Sequence, residues 1–453
     1  MKSELTRRSF LARSASGLGF AAALQPVATR AQTPAPLASV ARPALLGGPP
    51  VRQGGFPGWP VFDEHESAAL DGVLQSGRWF RGSGPRVDEF EKAFAELMGA
   101  RHCIATANGT SALLASLGGM EIGPGDEVIL PPYTFVATLN VILDHYALPV
   151  FVDSDLETFQ IDAQKVEAAL TDRTAAIIPV HLGGGAADLD TILEVARQRP
   201  VRVIEDACQS HLAEWRNRRV GTVGDTGCFS FQASKNLNCG EGGAILTNDP
   251  ELAVRCYAFH NNGRGREVQG YDFRYTGGRA ANLRLTEFQG ALLLAQMRRI
   301  EAQARNRDEN GAFLNRLLED IPGIHPARMY DGCTRNAWHL YMFRYDADHF
   351  AGLSRDRFIE ALRAEGIPCS AGYSPLNREA FIRATLESRG YRRIYPARLI
   401  EEWAERNACP QNDTLCRTAV WLTQNMLLGE RGDMDQIADA IRKIRKHAAL
   451  LKA

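Results

Sequence analysis

The sequence lacks several features that would point to common classes of protein. It has nine cysteines but no C-x-x-C pair, which argues against a zinc site, and an odd number of cysteines cannot pair completely within one chain. The formal net charge is −1, so there is no basic excess of the kind that binds nucleic acid. No apolar run is long and unbroken enough to span a membrane. We therefore expect no metal site, no nucleic-acid partner and no membrane anchor.

The first 31 residues resemble an export signal. Arg7 and Arg8 are adjacent and are followed by Ser-Phe-Leu, by a short Gly/Ala-rich apolar segment, and by Ala31 as a small residue before a cleavage point. A disordered or mitochondrial-type leader is the alternative. We predict a twin-arginine-type signal over residues 1–31 and a periplasmic or exported protein, which would be cytoplasmic if the signal does not work.

The rest of the chain divides into three parts by its composition and its pattern of apolar residues. Residues 32–60 contain seven prolines and several glycines, which predicts an extended arm. In residues 61–290, short apolar β-branched runs alternate with amphipathic helical segments, which predicts an α/β domain with a largely parallel sheet between helices. Residues 291–453 begin with a long helical segment and continue as a smaller α+β domain.

Chemically suggestive residues follow three of the predicted strands, where α/β sheets bind their ligands. The turn from Asn108 to Ser111 opens a helix and could hold a phosphate, although these residues are also ordinary helix caps. Asp206 and Gln209 follow one apolar run, and Lys235 follows another. Asp206 and Lys235 could form a structural ion pair, or they could hold the two poles of one cofactor. Pyridoxal phosphate needs a lysine for its Schiff base, a carboxylate at its ring nitrogen and a phosphate cradle.

Four blocks of sequence also resemble a known family. They are FSFQASKNLNCGEGGAILTND, VRVIEDACQSHLAEWRNRRVGTVGD, NGTSALLASLGGMEIGPGDEVILPPYTFVAT and NLRLTEFQGALLLAQ. They resemble the DegT/StrS sugar aminotransferases, a fold-type-I pyridoxal-phosphate family, over the chain from about Val61 onward. GGPPVR and FPGWPVFDE are most similar to the branch with glutamine:scyllo-inosose aminotransferases and aminohydroxybenzoate synthase. The resemblance implies a mostly parallel, seven-stranded-type sheet between helices and a smaller C-terminal α+β domain.

The resemblance also implies a role for each matching residue. Lys235 would form the Schiff base with pyridoxal 5'-phosphate and move protons, Asp206 would pair with the ring nitrogen, and Gln209 would lie beside the ring hydroxyl. The implied phosphate ligands are Gly109, Thr110 and Ser230. Phe135 would stack on the ring, with a core phenylalanine as the alternative.

Other implied residues concern the partner subunit and the substrate. Because the family builds its site across a homodimer, Asn282 or Arg284 would reach the partner's phosphate, and we favour Asn282. His181 and Tyr373 are weaker candidates for substrate contacts, and each could equally be a packing residue. HLGGGAAD, NLNCGEGG and GYSPLN depart from the commoner family pattern near the expected substrate pocket.

The favoured hypothesis is an aminotransferase that moves an amino group from glutamine or glutamate to a keto-sugar or keto-cyclitol. A nicotinamide-dependent dehydrogenase is one alternative, but its best glycine motif, Gly183-Gly184-Gly185, lacks the third glycine because Asp188 stands there. The other alternative is a non-catalytic sensor or regulatory protein that keeps the cofactor site. The presence of Lys235 favours transamination.

Overall fold

The computed structural model describes residues 42–267, 274–275 and 278–452. The predicted signal, residues 1–31, and the first ten residues of the predicted arm lie outside the described residues. Within the described ranges, no helix combines the length and the apolar composition needed to cross a bilayer. The nine cysteines all lie in these ranges and form no disulfide there.

A seven-stranded sheet forms the centre of the fold, in the order β1-β9-β8-β5-β4-β2-β3. Strand β9 pairs antiparallel with both of its neighbours, and the other pairs are parallel. This confirms the predicted α/β class with a mostly parallel sheet. The central strands and the short β6 and β7 are β1 (His102–Thr106), β2 (Glu127–Leu130), β3 (Leu148–Phe151), β4 (Thr174–Ile177), β5 (Arg202–Asp206), β6 (Glu214–Trp215), β7 (Arg218–Arg219), β8 (Thr226–Ser230) and β9 (Gly243–Thr247).

Helices cover both faces of this sheet. Alternate strand residues point to opposite sides, and the apolar residues on both sides are buried against helices. Ile104 and Cys228 belong to one buried cluster, whereas their neighbours Cys103 and Phe229 belong to another. The helices of this part are α1 (Glu64–Ser76), α2 (Arg86–Met98), α3 (Gly109–Gly119), α4 (Val136–Asp144), α5 (Val166–Ala169), α6 (Leu189–Arg197), α7 (Pro250–His260) and α8 (Glu287–Glu319).

A second, smaller sheet lies in the C-terminal region. Its order is β10-β12-β13, and all of its pairs are antiparallel. The strands are β10 (Ile324–Pro326), β11 (Cys333–Arg335), which pairs with β6, β12 (Leu340–Tyr345) and β13 (Ala419–Thr423). The helices are α9 (Arg355–Ala364), α10 (Ala380–Leu386), α11 (Arg389–Ile394), α12 (Ala397–Glu401), α13 (Trp403–Arg406), α14 (Pro410–Thr418), α15 (Arg431–Lys446) and α16 (Ala448–Lys452).

The described part of the arm, residues 42–60, packs against this C-terminal region. The backbone amides of Ala44 and Val51 donate to the carboxylate of Glu365, at 2.8 and 3.0 Å. Lys443 donates to the same carboxylate at 2.9 Å and to the carbonyl of Pro49 at 2.7 Å. Glu365 and Lys443 are both buried, so the arm is held by an ion pair in the interior.

Candidate active site

The ends of β1 and β8 meet around the first residue of β9. Gly243 is opposite Thr106 on one side and Ser230 on the other. A Cβ atom added to Gly243 would lie 2.3 Å from the carbonyl oxygen of Asn108, so only glycine allows this approach. A Cβ atom added to Gly109 would lie 2.7 Å from Cβ of Ser230. Small residues therefore bring the start of α3 against the end of β8.

The first turn of α3 is open for an anion although it is also capped. The side chain of Asn108 accepts a hydrogen bond from the amide of Ser111 at 2.8 Å, so the capping interpretation of Asn108 is correct. The first amides of a helix have no partner within it, and here they belong to Gly109 and Thr110. These amides and the hydroxyl of the neighbouring Ser230 form a donor set that suits a phosphate.

Asp206 ends β5 and is held in one orientation. Its Oδ2 accepts a hydrogen bond from the hydroxyl of Thr138 at 2.8 Å, and its Oδ1 accepts one from the amide of Cys208 at 3.2 Å. Thr138 lies in the first turn of α4 and is itself 2.9 Å from the hydroxyl of Thr134. Asp206 is 5% exposed, so its carboxylate is directed by the protein rather than by solvent.

Lys235 lies in the loop that follows β8 and is half-buried. Burial lowers the pKa of its amine below the ordinary lysine value, and the nearby carboxylate of Asp206 opposes this shift only in part. A lower pKa increases the fraction of uncharged amine, which is the nucleophilic form. The carboxylate of Asp206 is thus fixed and acts electrostatically on the amine of Lys235, and their role as the two poles of a cofactor site stays a prediction.

Gln209 links this site to the C-terminal region. Its Oε1 accepts a hydrogen bond from the amide of Gly183 at 2.8 Å, and its Nε2 donates to the hydroxyl of Tyr373 at 3.2 Å. The ring of Tyr373 lies 4.7 Å from that of Trp421 and 5.4 Å from that of Tyr133, measured between centroids. Burial raises the pKa of Tyr373, so its hydroxyl stays protonated while it accepts the hydrogen bond from Gln209.

His181 lies in the protein interior and not on the surface of the site. Its Nδ1 accepts a hydrogen bond from the amide of Ala187 at 3.1 Å, so its Nε2 carries the proton and donates to Glu205 at 2.9 Å. Burial raises the pKa of Glu205, but hydrogen bonds from His181 and from the amides of Gly224 and Gly221 outweigh it, and the pKa is lowered. Both ring nitrogens of His181 are engaged and its side chain is fully buried, which favours the packing interpretation.

The remaining predicted residues lie at the rim. Phe135 is the residue before α4 and is 58% exposed, so it is not a core phenylalanine. Asn282 is exposed and pairs through its backbone with Asn261. Arg284 instead turns to its own chain, where it donates to the side chain of Asn261 at 3.2 Å and lies 5.3 Å from the ring of Phe80.

The three glycines at 183–185 form a turn for packing. Gly183 and Gly184 have φ values of 65° and 108°, in the left-handed region that favours glycine. A Cβ atom on Gly184 would lie 2.4 Å from the backbone nitrogen of Trp338, so the segment is glycine-rich because another backbone approaches it. The run is thus not the phosphate loop that the dehydrogenase alternative required.

The residues present fit pyridoxal phosphate. The cradle at Gly109 has no room for a Cβ, as expected where a ligand and Ser230 approach the backbone. The fixed carboxylate of Asp206 and the amine of Lys235 supply the other two groups that the cofactor needs. When bound, the cofactor supplies an aldehyde and a ring that withdraws electrons from the reacting carbon.

The fold and its structural neighbours define the class of protein, which is that of the pyridoxal-phosphate-dependent aminotransferases. A model of the DegT/DnrJ/EryC1/StrS aminotransferase family matches residues 60–442. The chain therefore belongs to the DegT/DnrJ/EryC1/StrS aminotransferase family. This confirms the resemblance seen in the sequence and excludes the dehydrogenase alternative.

Named relatives resemble the chain over most of its length. An L-glutamine:2-deoxy-scyllo-inosose aminotransferase of Streptoalloteichus tenebrarius is 37% identical over 431 residues, covering 90% of this chain and 99% of the relative. The 3-amino-5-hydroxybenzoate synthase of Amycolatopsis mediterranei is 34% identical over 392 residues, covering 85% and 96%. The crystal structure of 3-amino-5-hydroxybenzoic acid synthase superposes with a TM-score of 0.78 at 33% identity and covers 87% of this chain and 99% of that one.

The sequence analysis missed residues that act on the site through others. Thr138 holds Asp206, and its only sequence signal is a hydroxyl in the first turn of an apolar helix. Trp59 donates to the carbonyl of Ala233, two residues before Lys235. No local pattern predicts such a contact, because its two residues are 174 positions apart.

Proposed function

We propose that this aminotransferase moves an amino group from glutamine to a keto-cyclitol or keto-sugar, with pyridoxal 5'-phosphate attached covalently at Lys235. The observation that carries the proposal is the convergence of Gly109, Ser230, Asp206 and Lys235 at one edge of the sheet. Relatives named as L-glutamine:2-deoxy-scyllo-inosose aminotransferases support glutamine over glutamate and a cyclitol over other ketones.

Each group of the chain has a defined part in this proposal. The uncharged amine of Lys235 would hold the cofactor at its aldehyde carbon, with water as the leaving group, and would carry protons at the reacting carbons. Asp206, held by Thr138, would pair with the ring nitrogen, and Gln209, which donates to Tyr373, would lie beside the ring hydroxyl. The exposed face of Phe135 is available to stack on the ring.

Visible absorption tests the proposal. Full-length protein loaded with the cofactor is expected to show a band that is absent from the Lys235→Ala variant and that is bleached by glutamine. Bleaching by glutamate and not by glutamine would show that glutamate is the amino donor. A protein that binds the cofactor and is bleached by neither donor would be the sensor of the alternative hypothesis, and a protein that binds no cofactor would refute the proposal.

We also propose that the active unit is a homodimer in which Asn282 reaches the partner subunit's phosphate. The exposure of Asn282 supports this choice, since Arg284 is engaged within its own chain. Lys235→Ala and Asn282→Ala are expected to be inactive or weak alone and to regain activity when mixed, because one site of a mixed dimer is intact. Absence of recovery in dimers shown to have exchanged subunits would refute the shared site.

Finally, we propose that residues 1–31 export the folded, cofactor-loaded protein through the twin-arginine route. The paired Arg7 and Arg8 support this proposal. Changing both to lysine is expected to retain the protein in the cytoplasm. The same cell fractionation for this variant and for the parent protein would refute the proposal.

A further inference from the structure

The loop that carries Lys235 is fastened at its base by its own backbone. The amide of Phe231 donates to the carbonyl of Gly242 at 2.7 Å, and the amide of Ala233 donates to that of Gly240 at 2.9 Å. Nearer the tip, the amide of Lys235 donates to the carbonyl of Gln232 at 2.8 Å and forms a turn. These bonds set the loop's path but leave the carbonyl of Ala233 to a partner from elsewhere in the chain.

Hydrogen bonds to distant segments hold the tip on both sides of the lysine. Before it, the indole N–H of Trp59 donates to the carbonyl of Ala233 at 2.9 Å. After it, Nδ2 of Asn236 donates to the carbonyl of Ala337 at 2.7 Å, and Oδ1 of Asn236 is 3.3 Å from Nδ1 of His339. The backbone that carries the Lys235 amine is therefore bracketed by contacts outside the loop.

Trp59 is itself supported by a buried charge. The guanidinium carbon of Arg307 lies 5.2 Å from the centroid of the Trp59 ring, within the range of a cation–π contact. Arg307 is fully buried, its Nε and Nη2 donate to Oε1 of Gln424 at 2.9 and 2.6 Å, and its Nη1 has no hydrogen-bond partner among the described residues. Burial lowers the pKa of Arg307 to about 9. The aromatic face thus compensates a guanidinium that has only one neutral acceptor.

Contacts on either side of Trp59 fix the arm's path. Upstream, Arg52 donates to Asp433 at 2.5 Å and to Gln436 at 2.6 Å. Nearer to Trp59, the side chain of Asn425 donates to the carbonyl of Pro57 at 2.8 Å. Downstream, the side chain of Gln296 donates to the carbonyl of Val61 at 2.8 Å. These contacts fix the arm backbone on both sides of Trp59, from which the indole reaches Ala233.

We propose that Trp59 is a positioning residue for Lys235, which fixes through the Ala233 carbonyl the backbone from which the amine reaches its target. The arm is then part of the active site's support and more than an extended lead-in. This inference rests on the proposed role of Lys235 for its kinetic consequence, but its structural claim can be tested without turnover.

The test compares two arm variants in the full-length protein, with and without added pyridoxal phosphate. Trp59→Phe keeps a ring for Arg307 and removes the indole N–H, whereas Phe56→Leu alters the arm where Phe56 packs on Arg52 at 3.9 Å. Trp59→Phe is expected to speed hydrogen exchange in the peptide 231–242 about tenfold, the value of one net hydrogen bond, and Phe56→Leu to leave it unchanged. With glutamine, kcat is expected to fall about tenfold in Trp59→Phe and KM to stay within about twofold.

A closer isostere separates the donor from the ring. Replacing Trp59 with 3-benzothienylalanine keeps the shape of the indole and removes only the N–H, so it decides the question if Trp59→Phe does not fold. Unchanged exchange in this variant would overturn the proposal, as would an equal acceleration in Phe56→Leu. If no cofactor binds at Lys235, the proposed function fails, but the exchange result still decides whether Trp59 holds the loop.

Discussion

Two lysines are withdrawn from solvent in different regions of this molecule, and their surroundings differ. Lys443, on α15, meets the carboxylate of Glu365 at 2.9 Å in the interior. Lys235, at the edge of the central sheet, has the buried histidines 211 and 339 as neighbours, and burial lowers the pKa of both. One region pairs its buried lysine with a carboxylate at hydrogen-bond distance. In the other, the half-buried Lys235 lies among histidines that burial keeps neutral, and Asp206 offsets the effect of burial on its pKa only in part. A lysine's use is therefore decided by what is buried with it, and burial alone does not decide it.

The largest expected effect is that of removing the reactive amine. Lys235→Ala should lower turnover by at least about 10⁴-fold, as removal of a nucleophile does in other enzymes. Lys443→Met should lower turnover per folded molecule far less, by no more than about tenfold, because Lys443 holds the arm and none of the reacting groups. Steady-state rates, normalised to the folded fraction, compare the two variants. Equal losses in both would break the distinction between the two lysines.

The next largest effect concerns the stability of the C-terminal region, where Lys443 pairs with Glu365. Lys443→Met leaves Glu365 buried without its cation, and the free energy of unfolding should fall by about 3–5 kcal/mol. Glu365→Gln added to this variant should restore part of the loss, because it removes the unpaired buried charge. The two amides donate to different oxygens of Glu365, so the glutamine oxygen keeps only one of these hydrogen bonds and the recovery stays partial. Denaturant unfolding measures both. No recovery in the double variant would show that packing, and not charge, is responsible.

A smaller effect is expected from His211. Its side chain packs against Phe229 and Phe231, and burial, with Lys235 nearby, lowers its pKa to about 3. The unfolded chain takes up the proton at a higher pH, so stability is lost as the pH falls from about 6.5 toward 3. At pH 5, His211→Phe should reduce this loss by on the order of 1–2 kcal/mol. The exposed His349→Asn is the control, and an identical acid profile for both variants would contradict the prediction.

The smallest change is a pH-dependent difference at Lys235 in the protein without cofactor. Because its folded pKa is lowered, the charged amine reduces stability most below that pKa, and the penalty vanishes above the ordinary value of 10.5. Lys235→Met should therefore be more stable than the parent at pH 7, and the difference should shrink as the pH approaches 10.5. Melting temperatures over this range test the trend. Lower stability of Lys235→Met at pH 7 would show that the amine is paired after all.

The sequence could predict what depends on local pattern. The β-branched runs located the strands, and the residues after them included Gly109, Asp206 and Lys235, because parallel strands end at a common edge. The long helix and the strand at residues 340–345 were likewise predicted. The division into domains at 290 stays a prediction.

The contacts that fix these groups could not be predicted in the same way. Thr138 and Asp206 are 68 residues apart, and Lys443 and Glu365 are 78 apart, so no local period reports them. His181 is a further example. Its position after a predicted strand suggested a substrate contact, but the sequence could not show that its side chain points inward and donates to Glu205. The short helices between residues 380 and 406 also lack a strong period.

The buried anchoring of the arm bears on how the enzyme could be shortened. The family match begins at residue 60, and a fragment starting at Val61 would include every predicted cofactor residue. It would nevertheless remove the two amides that donate to Glu365 and the indole that donates to Ala233. Such a truncated enzyme would keep all of its reacting groups but would lose contacts that position them. The boundary of the family match is therefore a poor guide to where the chain can be shortened.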